Sequence, residues 1–491
     1  MSERLIDERR RKVETIREQG ENPFANDFKV NDLAGALQTR FDGMDGEAVE
    51  AANCTVSVGG RVIGVRSFGK VAFARLIDRS GEIQLSLFKL ELSDVIWKRI
   101  KQLDIGDIIG VEGSMMRTNK GELSIKVSDL RLLTKSLRPL PDKWHGLTDT
   151  SVRYRQRYVD LIANAEVRET FKLRSEVLRY IRRFFDARDY MEVETPMLQP
   201  SYGGASARPF ETHHNAMDMR LFMRIAPELN LKRLVVGGFH RVYEINRCFR
   251  NEGISTRHNP EFTSLEFYEA FATYEDLMAL TETLLAGLCQ HLHQSDEIPW
   301  GEHQISLKAP FRRLSVRDGL AEYAGVPTDL FYNRDALVDA AKRLHISDPE
   351  KMSLGYLQMA IFEEACETAL IQPTFVTDFP LDVSPLSRRK DSEPTLVDRF
   401  ELYVGGQEIA NAFSELNDPD DQRGRFEAQV TERENGDDEA HPMDEDFIRA
   451  LEYGMPPTAG EGIGIDRLVM LLSNSPSIRD VIFFPLLRPE S

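Results

Sequence analysis

The stretch FRNEGISTRHNPEFTSLEFYEA, residues 249–270, decides the fold of this chain. The segment HRVYEINRCFR that overlaps its start and the segment EFTSLEFYEA at its end both alternate with a period of two. This alternation predicts two antiparallel strands joined by a long polar loop. Side chains two residues apart on the returning strand share a face. That face is poorly suited to a dry core, since it consists of Phe262, Ser264, Glu266 and Tyr268.

The outgoing strand ends at Arg250, which shares a face with Glu244, Asn246 and Cys248. We expect its guanidinium to lie beside the carboxylates of the hairpin, where it can grip phosphate or carboxylate oxygens in a bidentate manner. The hairpin therefore suits a ligand that carries both kinds of charge. A surface hairpin with exposed salt bridges is the commoner arrangement, and the hairpin alone does not exclude it.

The composition is that of a soluble globular protein, because 41% of the residues are apolar and 29% are charged. The length of 491 residues is enough for two or three domains. No apolar run reaches the length of a membrane span, and the start, MSERLIDERRRK, lacks the apolar segment of a signal peptide. We therefore expect a cytoplasmic protein without a membrane partner. The four cysteines are scattered without CxxC spacing, which predicts reduced thiols and no zinc site.

The formal charge of -18 does not exclude a nucleic-acid partner, because the acidic residues are unevenly distributed. Residues 415–446 contain 13 acidic and 3 basic residues, a local charge of -10, so this one segment holds over half of the excess. A basic surface elsewhere in the chain remains compatible with the composition.

The N-terminal part divides into a helical extension, residues 1–50, and a segment of short strands with glycine turns, residues 51–135. About five strands with this punctuation predict an OB-fold barrel. Such barrels hold single-stranded nucleic acid by stacking bases on aromatic side chains. Phe73, with Arg66 nearby and Gln84 on the next strand, would form such a platform, and a place for Phe73 in the barrel core is equally compatible with the pattern. An aperiodic linker with two prolines follows at residues 136–150.

The larger domain, residues 151–491, begins with an amphipathic helix at about 165–187 that can pack on its own sheet or form a subunit interface. Gly204 permits either a close backbone approach to a ligand or a tight turn. Glu228 lies in an otherwise apolar helical run, where a carboxylate must cap the helix, face water or meet a cationic ligand.

A second candidate site lies in DRFELYVGGQEIANAFSELND, residues 398–418. If its two glycines form a turn, Tyr403 pairs with Glu408, and Glu401 shares their face. Two converging carboxylates would bind a hard cation that also holds phosphates, as Mg²⁺ does. Asn411, Phe413 and Glu415 reach the same face only if the strand contains a bulge, which we expect near Ala410. A solvent-facing acidic strand is the alternative, and the apolar neighbours disfavour it.

The segment GEGIGIDRLVMLLSN, residues 460–474, predicts a strand that enters an apolar helix. Its glycines miss the GxGxxG spacing of a dinucleotide site. Arg467 lies near the helix start, where a positive charge opposes the helix dipole. We therefore expect an anion to be bound next to it.

These segments together resemble the class II aminoacyl-tRNA synthetases. RCFRNEGISTRHNPEFTSLEFYEA resembles motif 2, GIGIDRLVMLL resembles motif 3, and the long helix ending in EVETPML resembles motif 1. The order of the segments, with RPLPDKWHGL, GGASARPF and NAFSELND, is similar to the bacterial-type lysyl-tRNA synthetases. The resemblance implies an α+β fold in which an OB-fold barrel precedes an antiparallel catalytic sheet flanked by helices. It also implies a homodimer built through motif 1.

The resemblance further implies the substrates ATP, L-lysine and tRNA(Lys), with Mg²⁺ as cofactor. Lysine would be activated to lysyl-adenylate and transferred to the 3′ adenosine of the tRNA, with Arg250 and Arg467 as the catalytic residues. Arg250 would hold the α-phosphate and the lysine carboxylate, and Glu252 would lie near the adenine amino group. The remaining implied ATP and Mg²⁺ contacts are His258 and Asn259 in the loop over ATP, Phe262 and Arg467 on either side of the adenine, and Glu401 and Glu408 around Mg²⁺.

For lysine, the resemblance implies Glu228 at the α-amino group and Glu266, Tyr268 and Glu415 at the ε-ammonium. Gly204, Arg250, Asn411 and Phe413 would complete the lysine site, and Arg66, Phe73, Gln84 and Glu122 would read the anticodon. Aspartyl or asparaginyl ligation is disfavoured, because it calls for cations in place of Glu266 and Glu415. Lysylation of a protein does not need the barrel, and a non-catalytic RNA-binding module does not need a complete ATP site.

Overall fold

The computed structural model describes residues 2–141, 147–434 and 440–490. The chain forms two compact units, Met1–Thr148 and Asp149–Ser491. The predicted linker, residues 136–150, and the acidic segment, residues 415–446, each lie partly outside the described residues, at 142–146 and 435–439. The finer division at residues 50, 135 and 150 stays a prediction.

Among the described residues, the first unit is a five-stranded barrel with four helices. Its helices are α1 (Ser2–Glu18), α2 (Ala34–Arg40), α3 (Gly46–Ala51) and α4 (Asp94–Gln102). Its strands are β1 (Thr55–Phe68), β2 (Val71–Ile77), β3 (Glu82–Phe88), β4 (Ile108–Arg117) and β5 (Leu123–Thr134). The strands close in the order β1-β2-β3-β5-β4, with β3 and β5 parallel, which confirms the predicted barrel.

The N-terminal helices belong to the same hydrophobic core as the barrel strands. Ile16 of α1, Leu37 of α2 and Val49 of α3 are buried with the inward-facing side chains of the strands. Arg9 donates hydrogen bonds to the carbonyls of Ile105 (3.1 Å) and Ser136 (3.0 Å), and is buried there. Arg9 therefore attaches α1 to the barrel.

Phe73 lies on the outer face of the barrel. Its neighbours Ala72 and Ala74 are buried in the barrel core, while Phe73 is only half-buried and stands outside that core. The alternative that places Phe73 in the barrel core is therefore wrong. A second aromatic side chain, Phe68, is exposed beside it, with the two ring centroids 6.4 Å apart in an edge-to-face arrangement.

The second unit contains twelve helices among the described residues, besides short 3₁₀ turns. They are α5 (Thr150–Arg155), α6 (Arg157–Ala163), α7 (Ala165–Asp186), α8 (Glu228–Val236), α9 (Tyr274–His293), α10 (Val316–Tyr323), α11 (Arg334–Arg343), α12 (Leu354–Ala365), α13 (Pro419–Glu434), α14 (Glu445–Glu452), α15 (Ile465–Leu472) and α16 (Ile478–Val481). The 3₁₀ turns are Thr328–Leu330, Pro349–Lys351, Glu367–Ala369 and Leu381–Val383.

The strands of this unit continue the numbering. They are β6 (Met191–Glu192), β7 (Leu198–Gln199), β8 (Glu211–His214), β9 (Met219–Met223), β10 (Arg241–Phe249), β11 (Glu261–Ala270), β12 (Glu297–Trp300), β13 (His303–Ser306), β14 (Arg312–Ser315), β15 (Thr374–Pro380), β16 (Leu396–Val404), β17 (Gln407–Ser414) and β18 (Thr458–Gly464).

Eight strands form the central sheet in the order β14-β15-β16-β17-β18-β11-β10-β6. The six central strands are antiparallel, and the edge strands β14 and β6 pair in parallel. The predicted antiparallel sheet is thus confirmed for the part that carries the motifs.

One face of the sheet packs against α7, α9 and α15. On β11, Leu265 and Phe267 point to this face and join Phe185 of α7, Leu285 of α9 and Leu468 of α15 in one core. The alternation of β11 therefore sends Phe262, Ser264, Glu266 and Tyr268 to the opposite face. None of the helices among the described residues has both the length and the apolar character needed to cross a membrane.

Candidate active site

The hairpin of β10 and β11 pairs as its alternation predicts. Glu244 lies opposite Glu266, and Cys248 lies opposite Phe262. The polar faces of the two strands therefore coincide. The alternative of a surface hairpin is wrong, because Glu244 and Glu266 are both buried.

This face opens into a cavity of about 970 Å³ within the second unit. Almost every residue that the sequence assigned to ATP, lysine or Mg²⁺ lines this cavity, and Glu415 is the exception. The lining residues among them are Gly204, Glu228, Arg250, Glu252, His258, Asn259, Phe262, Glu266, Tyr268, Glu401, Glu408, Asn411, Phe413 and Arg467.

Arg250 follows directly after β10, where its backbone N–H donates to the carbonyl of Pro260 at 2.8 Å. Its guanidinium carbon lies 5.1 Å from the centroid of the Phe262 ring. Within the described part of the chain its Nε is buried without a hydrogen-bond partner. A buried donor of this kind is costly unless a ligand satisfies it.

A second guanidinium, that of Arg467, lies near the other wall of the cavity, in the first turn of α15. Its Nη1 donates to the carbonyl oxygen (2.9 Å) and the carboxylate (3.2 Å) of Glu408, and its Nη2 lies 3.1 Å from Nε2 of His258. Burial, and then the charge of Arg467, lower the pKa of His258. The anion expected next to Arg467 is thus supplied in part by Glu408.

The loop between β10 and β11 is held by its own side chains. Nδ1 of His258 lies 3.0 Å from Oγ of Ser255. Asn259 donates to the carbonyl of Glu261 (2.7 Å) and accepts from the N–H of Leu486 (3.3 Å). Asn259 therefore fixes the loop, whereas Glu252 is exposed at the cavity wall.

The turn between β16 and β17 has the predicted pairing. Tyr403 pairs with Glu408 and Leu402 pairs with Ala410, so the extra residue is Ile409. This bulge lies where the sequence predicted it. Because the register shifts there, Asn411 lies opposite Glu401.

Glu401 and Glu408 lie on the two paired strands of this hairpin, close enough for the charge of one to act on the other. Burial, with the Glu408 carboxylate adding to it, raises the pKa of Glu401 to about 7 although Arg399 opposes the shift. Mg²⁺ is commonly held by one or two carboxylates together with phosphate oxygens and water. The donor set fits such an ion. No group of three or more metal-ligating side chains occurs among the described residues, so phosphate oxygens would have to complete the coordination.

Arg399, which was not predicted from the sequence, orients two of these side chains and also contacts a serine. Its Nη2 donates to Glu401 (2.5 Å), its Nε to Asn411 (3.0 Å) and its Nη1 to Ser384 (2.8 Å). Arg399 lies two residues before Glu401, so the period of the strand places both on one face. That spacing was the available signal.

The far end of the cavity is acidic. Glu266 is 8% exposed, and the Tyr268 hydroxyl donates to it at 3.3 Å. Burial, and then the charge of Glu228, raise the pKa of Glu266 to about 8. Glu266 forms no salt bridge with any described residue, so it is a buried acid without a cation.

Glu228 is the first residue of α8, where the helix dipole favours a negative charge. It meets a cation of the protein itself, since Nζ of Lys232 lies 2.5 Å from its Oε1. Lys232 also contacts the carboxylate of Glu415, which is 2% exposed. Lys232 was not predicted from the sequence, although its spacing of four residues from Glu228 in an apolar helix indicates such a contact.

Glycine residues shape this end of the cavity. Gly204 has a φ of +87°, and a Cβ there would lie 2.9 Å from Cβ of Glu228. On β18, a Cβ at Gly460 would lie 2.2 Å from Oε1 of Glu415 and 2.3 Å from Cε1 of Tyr268. Gly462 and Gly464 share the face of Gly460, so this part of the wall is bare backbone.

The predicted anticodon residues lie on the barrel of the first unit. Arg66 pairs with Phe73 across β1 and β2. Gln84 donates to Oγ of Ser124 at 2.8 Å, and Glu122 lies 3.6 Å from Arg75. The structure thus places Arg66, Phe73 and Gln84 on the neighbouring strands β1, β2 and β3, and Glu122 in the turn that precedes β5. The anticodon roles of all four stay predictions.

The comparisons with known proteins agree with both units. The family model described as "tRNA synthetases class II (D, K and N)" matches residues 149–488. The family model described as "OB-fold nucleic acid binding domain" matches residues 56–133. This chain is similar to proteins named lysine–tRNA ligase. The relative from Ectopseudomonas mendocina is 54% identical over 99% of this chain and 96% of its own length, and that from Halalkalibacterium halodurans is 52% identical over 99% and 97%.

We expect the substitution Gly460→Ala to lower the free energy of unfolding by about 1–3 kcal/mol, since the added methyl group would displace Tyr268 or Glu415 in a packed region. Urea unfolding of the purified chain measures this change. Gly424→Ala in α13 is the matched control, because no atom lies within 4 Å of its added Cβ. Equal stability of the two variants would contradict the close packing around Gly460.

Proposed function

The chain belongs to the class II tRNA synthetases (D, K and N), and from this premise we propose that it is a ligase that joins lysine to tRNA(Lys) at the expense of ATP. The observation that carries the choice of lysine is the buried, cation-free Glu266 with the Tyr268 hydroxyl beside it. The near full-length similarity to lysine–tRNA ligases supports the same choice.

In the first step, a carboxylate oxygen of lysine attacks the α-phosphorus of ATP in line. The new P–O bond forms as the bond to pyrophosphate breaks, which gives lysyl-adenylate. Arg250 holds the lysine carboxylate and the α-phosphate, for which its unsatisfied Nε is suited. No protein nucleophile is required, so positioning and charge stabilisation carry the catalysis.

Around the nucleotide, the adenine stacks between Phe262 and Arg467, and Glu252 accepts from its amino group. His258 and Asn259 hold the loop between β10 and β11 in place over the phosphates. Glu401 and Glu408 would hold Mg²⁺, which supplies charge neutralisation on the phosphate oxygens when bound. The position of these side chains around one cavity supports this assignment.

In the second step, a hydroxyl of the 3′ adenosine of tRNA attacks the carbonyl carbon of lysyl-adenylate. The ester bond forms as the bond to AMP breaks, and the hydroxyl proton passes to a phosphate oxygen of the departing AMP. The barrel binds the anticodon through Arg66, Phe73, Gln84 and Glu122. The outward position of Phe73 supports base stacking there.

Lysine is selected by charge. Glu228 receives its α-amino group, Glu266 and Tyr268 receive its ε-ammonium, and Gly204, Asn411 and Phe413 enclose the stem. A neutral amino acid forms no ion pair with Glu266, so it lacks the charge pairing that the ε-ammonium of lysine gains there. An acidic amino acid is repelled by the same carboxylates, which disfavours aspartate and asparagine ligation.

The proposal includes a homodimer through motif 1 and a location in the cytoplasm, where translation takes place. Exposed apolar side chains around β6, β7 and the ends of the hairpin support the dimer, namely Met191, Leu198, Phe239 and Phe271. A non-catalytic RNA-binding module is disfavoured, because the cavity retains both guanidiniums and both candidate Mg²⁺ ligands.

The test of the function is ATP–pyrophosphate exchange measured with each of the twenty amino acids. We expect exchange with lysine only, and Glu266→Gln should raise KM for lysine by about 100-fold or more while KM for ATP stays unchanged, because the ammonium loses its counter-charge. Exchange with aspartate or with no amino acid would overturn the proposed function. Wild-type activity of Glu266→Gln would overturn the assignment of the lysine site.

The KM for lysine should depend on pH. The ammonium needs Glu266 as a carboxylate, and burial keeps this group protonated below its pKa of about 8 in the free protein. KM should therefore fall by roughly tenfold per unit as pH rises from 6 to 8, and then level off. Exchange kinetics at fixed ionic strength measure this profile. The Glu266→Gln variant should show no such fall.

Substitution of Phe73 by Ala should weaken tRNA binding by about 1–3 kcal/mol, the usual contribution of one stacked base. Pyrophosphate exchange needs no tRNA and should stay unchanged, whereas KM for tRNA in aminoacylation should rise. Phe88→Ala is the control within the barrel, because it also removes an aromatic ring that lies beside a basic side chain, that of Lys126. Unchanged tRNA affinity of Phe73→Ala would remove the stacking role.

A further inference from the structure

The segment of residues 478–486, which includes most of α16, contacts the loop between β10 and β11 through its backbone. The N–H of Ile478 donates to the carbonyl of Thr256 at 2.8 Å. The N–H of Leu486 donates to Oδ1 of Asn259 at 3.3 Å. Ile478 also lines the cavity, so the segment reaches the candidate active site. Because both donors are backbone groups, the position of the loop depends on the path of the segment's main chain.

The part of the loop that the segment contacts is the part that lies beside Arg467. Oγ of Ser255 lies 3.0 Å from Nδ1 of His258, and Nε2 of His258 lies 3.1 Å from Nη2 of Arg467. The guanidinium of Arg479, in the segment, donates to the carbonyl of Ser255 at 3.4 Å. The contacts of the segment therefore lead, through Ser255, to the imidazole beside Arg467.

Arg157, the first residue of α6, holds the segment in turn. Its side chain is fully buried, and it donates to the carbonyl of Arg479 at 2.6 Å and to that of Phe483 at 3.1 Å. Its Nη1 donates to the carboxylate of Asp160, which is also fully buried, at 2.5 Å. A guanidinium presents its donors in a rigid planar fork, so binding all three acceptors fixes their relative positions.

Aromatic side chains pack around Arg157. Its guanidinium carbon lies 5.2 Å from the centroid of the Tyr154 ring and 5.5 Å from that of the Phe171 ring. Phe171 stacks on Phe483, with the two ring centroids 3.8 Å apart. The Tyr154 hydroxyl donates to the carboxylate of Asp480 at 3.0 Å. Side chains of α5 and α7 thus enclose both Arg157 and the segment, so one cannot shift without the other.

We propose that Arg157 is a positioning residue for ATP: through the 478–486 segment it holds the loop between β10 and β11 in place over the phosphates. This inference rests on the proposed function, in which His258 and Asn259 belong to that loop. Arg157 does not line the cavity, so it acts through the segment and not on the substrate directly. The side chains assigned to the two amino groups of lysine are carried by α8 and β11 instead of the loop. The effect should therefore fall on ATP.

The first test is lysine-dependent pyrophosphate exchange by the full chain with Arg157→Lys. The ammonium keeps the charge beside Asp160 but cannot keep the three bonds of the guanidinium, so KM for ATP should rise by about tenfold. KM for lysine should change by less than about twofold. Arg153→Lys is the matched control, because Arg153 pairs with the same Asp160 at 3.0 Å and, within the described chain, donates to no carbonyl of the segment. It should leave both KM values unchanged.

A second pair of variants tests the other end of the segment and leaves Arg157 in place. Leu486→Pro removes the N–H that Asn259 accepts, whereas Leu486→Ala keeps that N–H and removes the same exposed side chain. Leu486→Pro should raise KM for ATP by about three- to fivefold, and Leu486→Ala should leave it unchanged. Leu486 lies outside the helices and strands, so both variants should fold, and this comparison decides if Arg157→Lys does not.

Hydrogen exchange separates positioning of the loop from a general loss of stability. In Arg157→Lys and in Leu486→Pro, the amides of residues 255–259 should exchange at least about threefold faster, while those of β11 stay unchanged. An unchanged KM for ATP, or an equal rise of KM for ATP and for lysine, would overturn the proposal. A wild-type chain without lysine-dependent exchange would overturn the proposed function instead, and hydrogen exchange would still decide whether the segment holds the loop.

Discussion

The structure depends on the burial of more carboxylates than cations under one face of an antiparallel sheet. A buried carboxylate loses its hydration and must find a cation, a proton or a ligand. Glu228 and Glu415 contact Lys232, Glu244 pairs with Arg224, and Glu266 stays protonated up to a pKa of about 8. The fold tolerates this because α7, α9 and α15 stabilise the opposite face of the sheet with a large apolar core.

The parts of this arrangement that follow from strand period and turn chemistry could be predicted from the sequence. The faces of the hairpin, the two-glycine turn after Val404 and the bulge before Ala410 all follow from residues close in the chain. The resemblance to a known family added the roles of the same residues. The residues assigned to ATP, lysine and Mg²⁺, nearly all of which line the cavity, could therefore be predicted from the sequence before the fold was known.

The parts that depend on contacts between distant elements could not be predicted in this way. Lys232 meets Glu415 only because α8 packs beside the end of β17, and Arg467 meets Glu408 only because β17 and β18 are neighbours. Phe73 was ambiguous because alternation defines two faces and does not say which one is inside. Its small neighbours Ala72 and Ala74 fill the narrow interior and leave the ring outside.

The bare backbone of β18 has a consequence for the redesign of this protein toward other amino acids. That wall is formed by the backbone of Gly460, Gly462 and Gly464. It therefore has no side chain that a smaller residue could replace to make room for a bulkier substrate. Adding one at Gly460 would collide with Tyr268 and Glu415 before it reached a substrate. Libraries aimed at altered substrate range should therefore diversify β11 and β17 and keep the glycine strand intact.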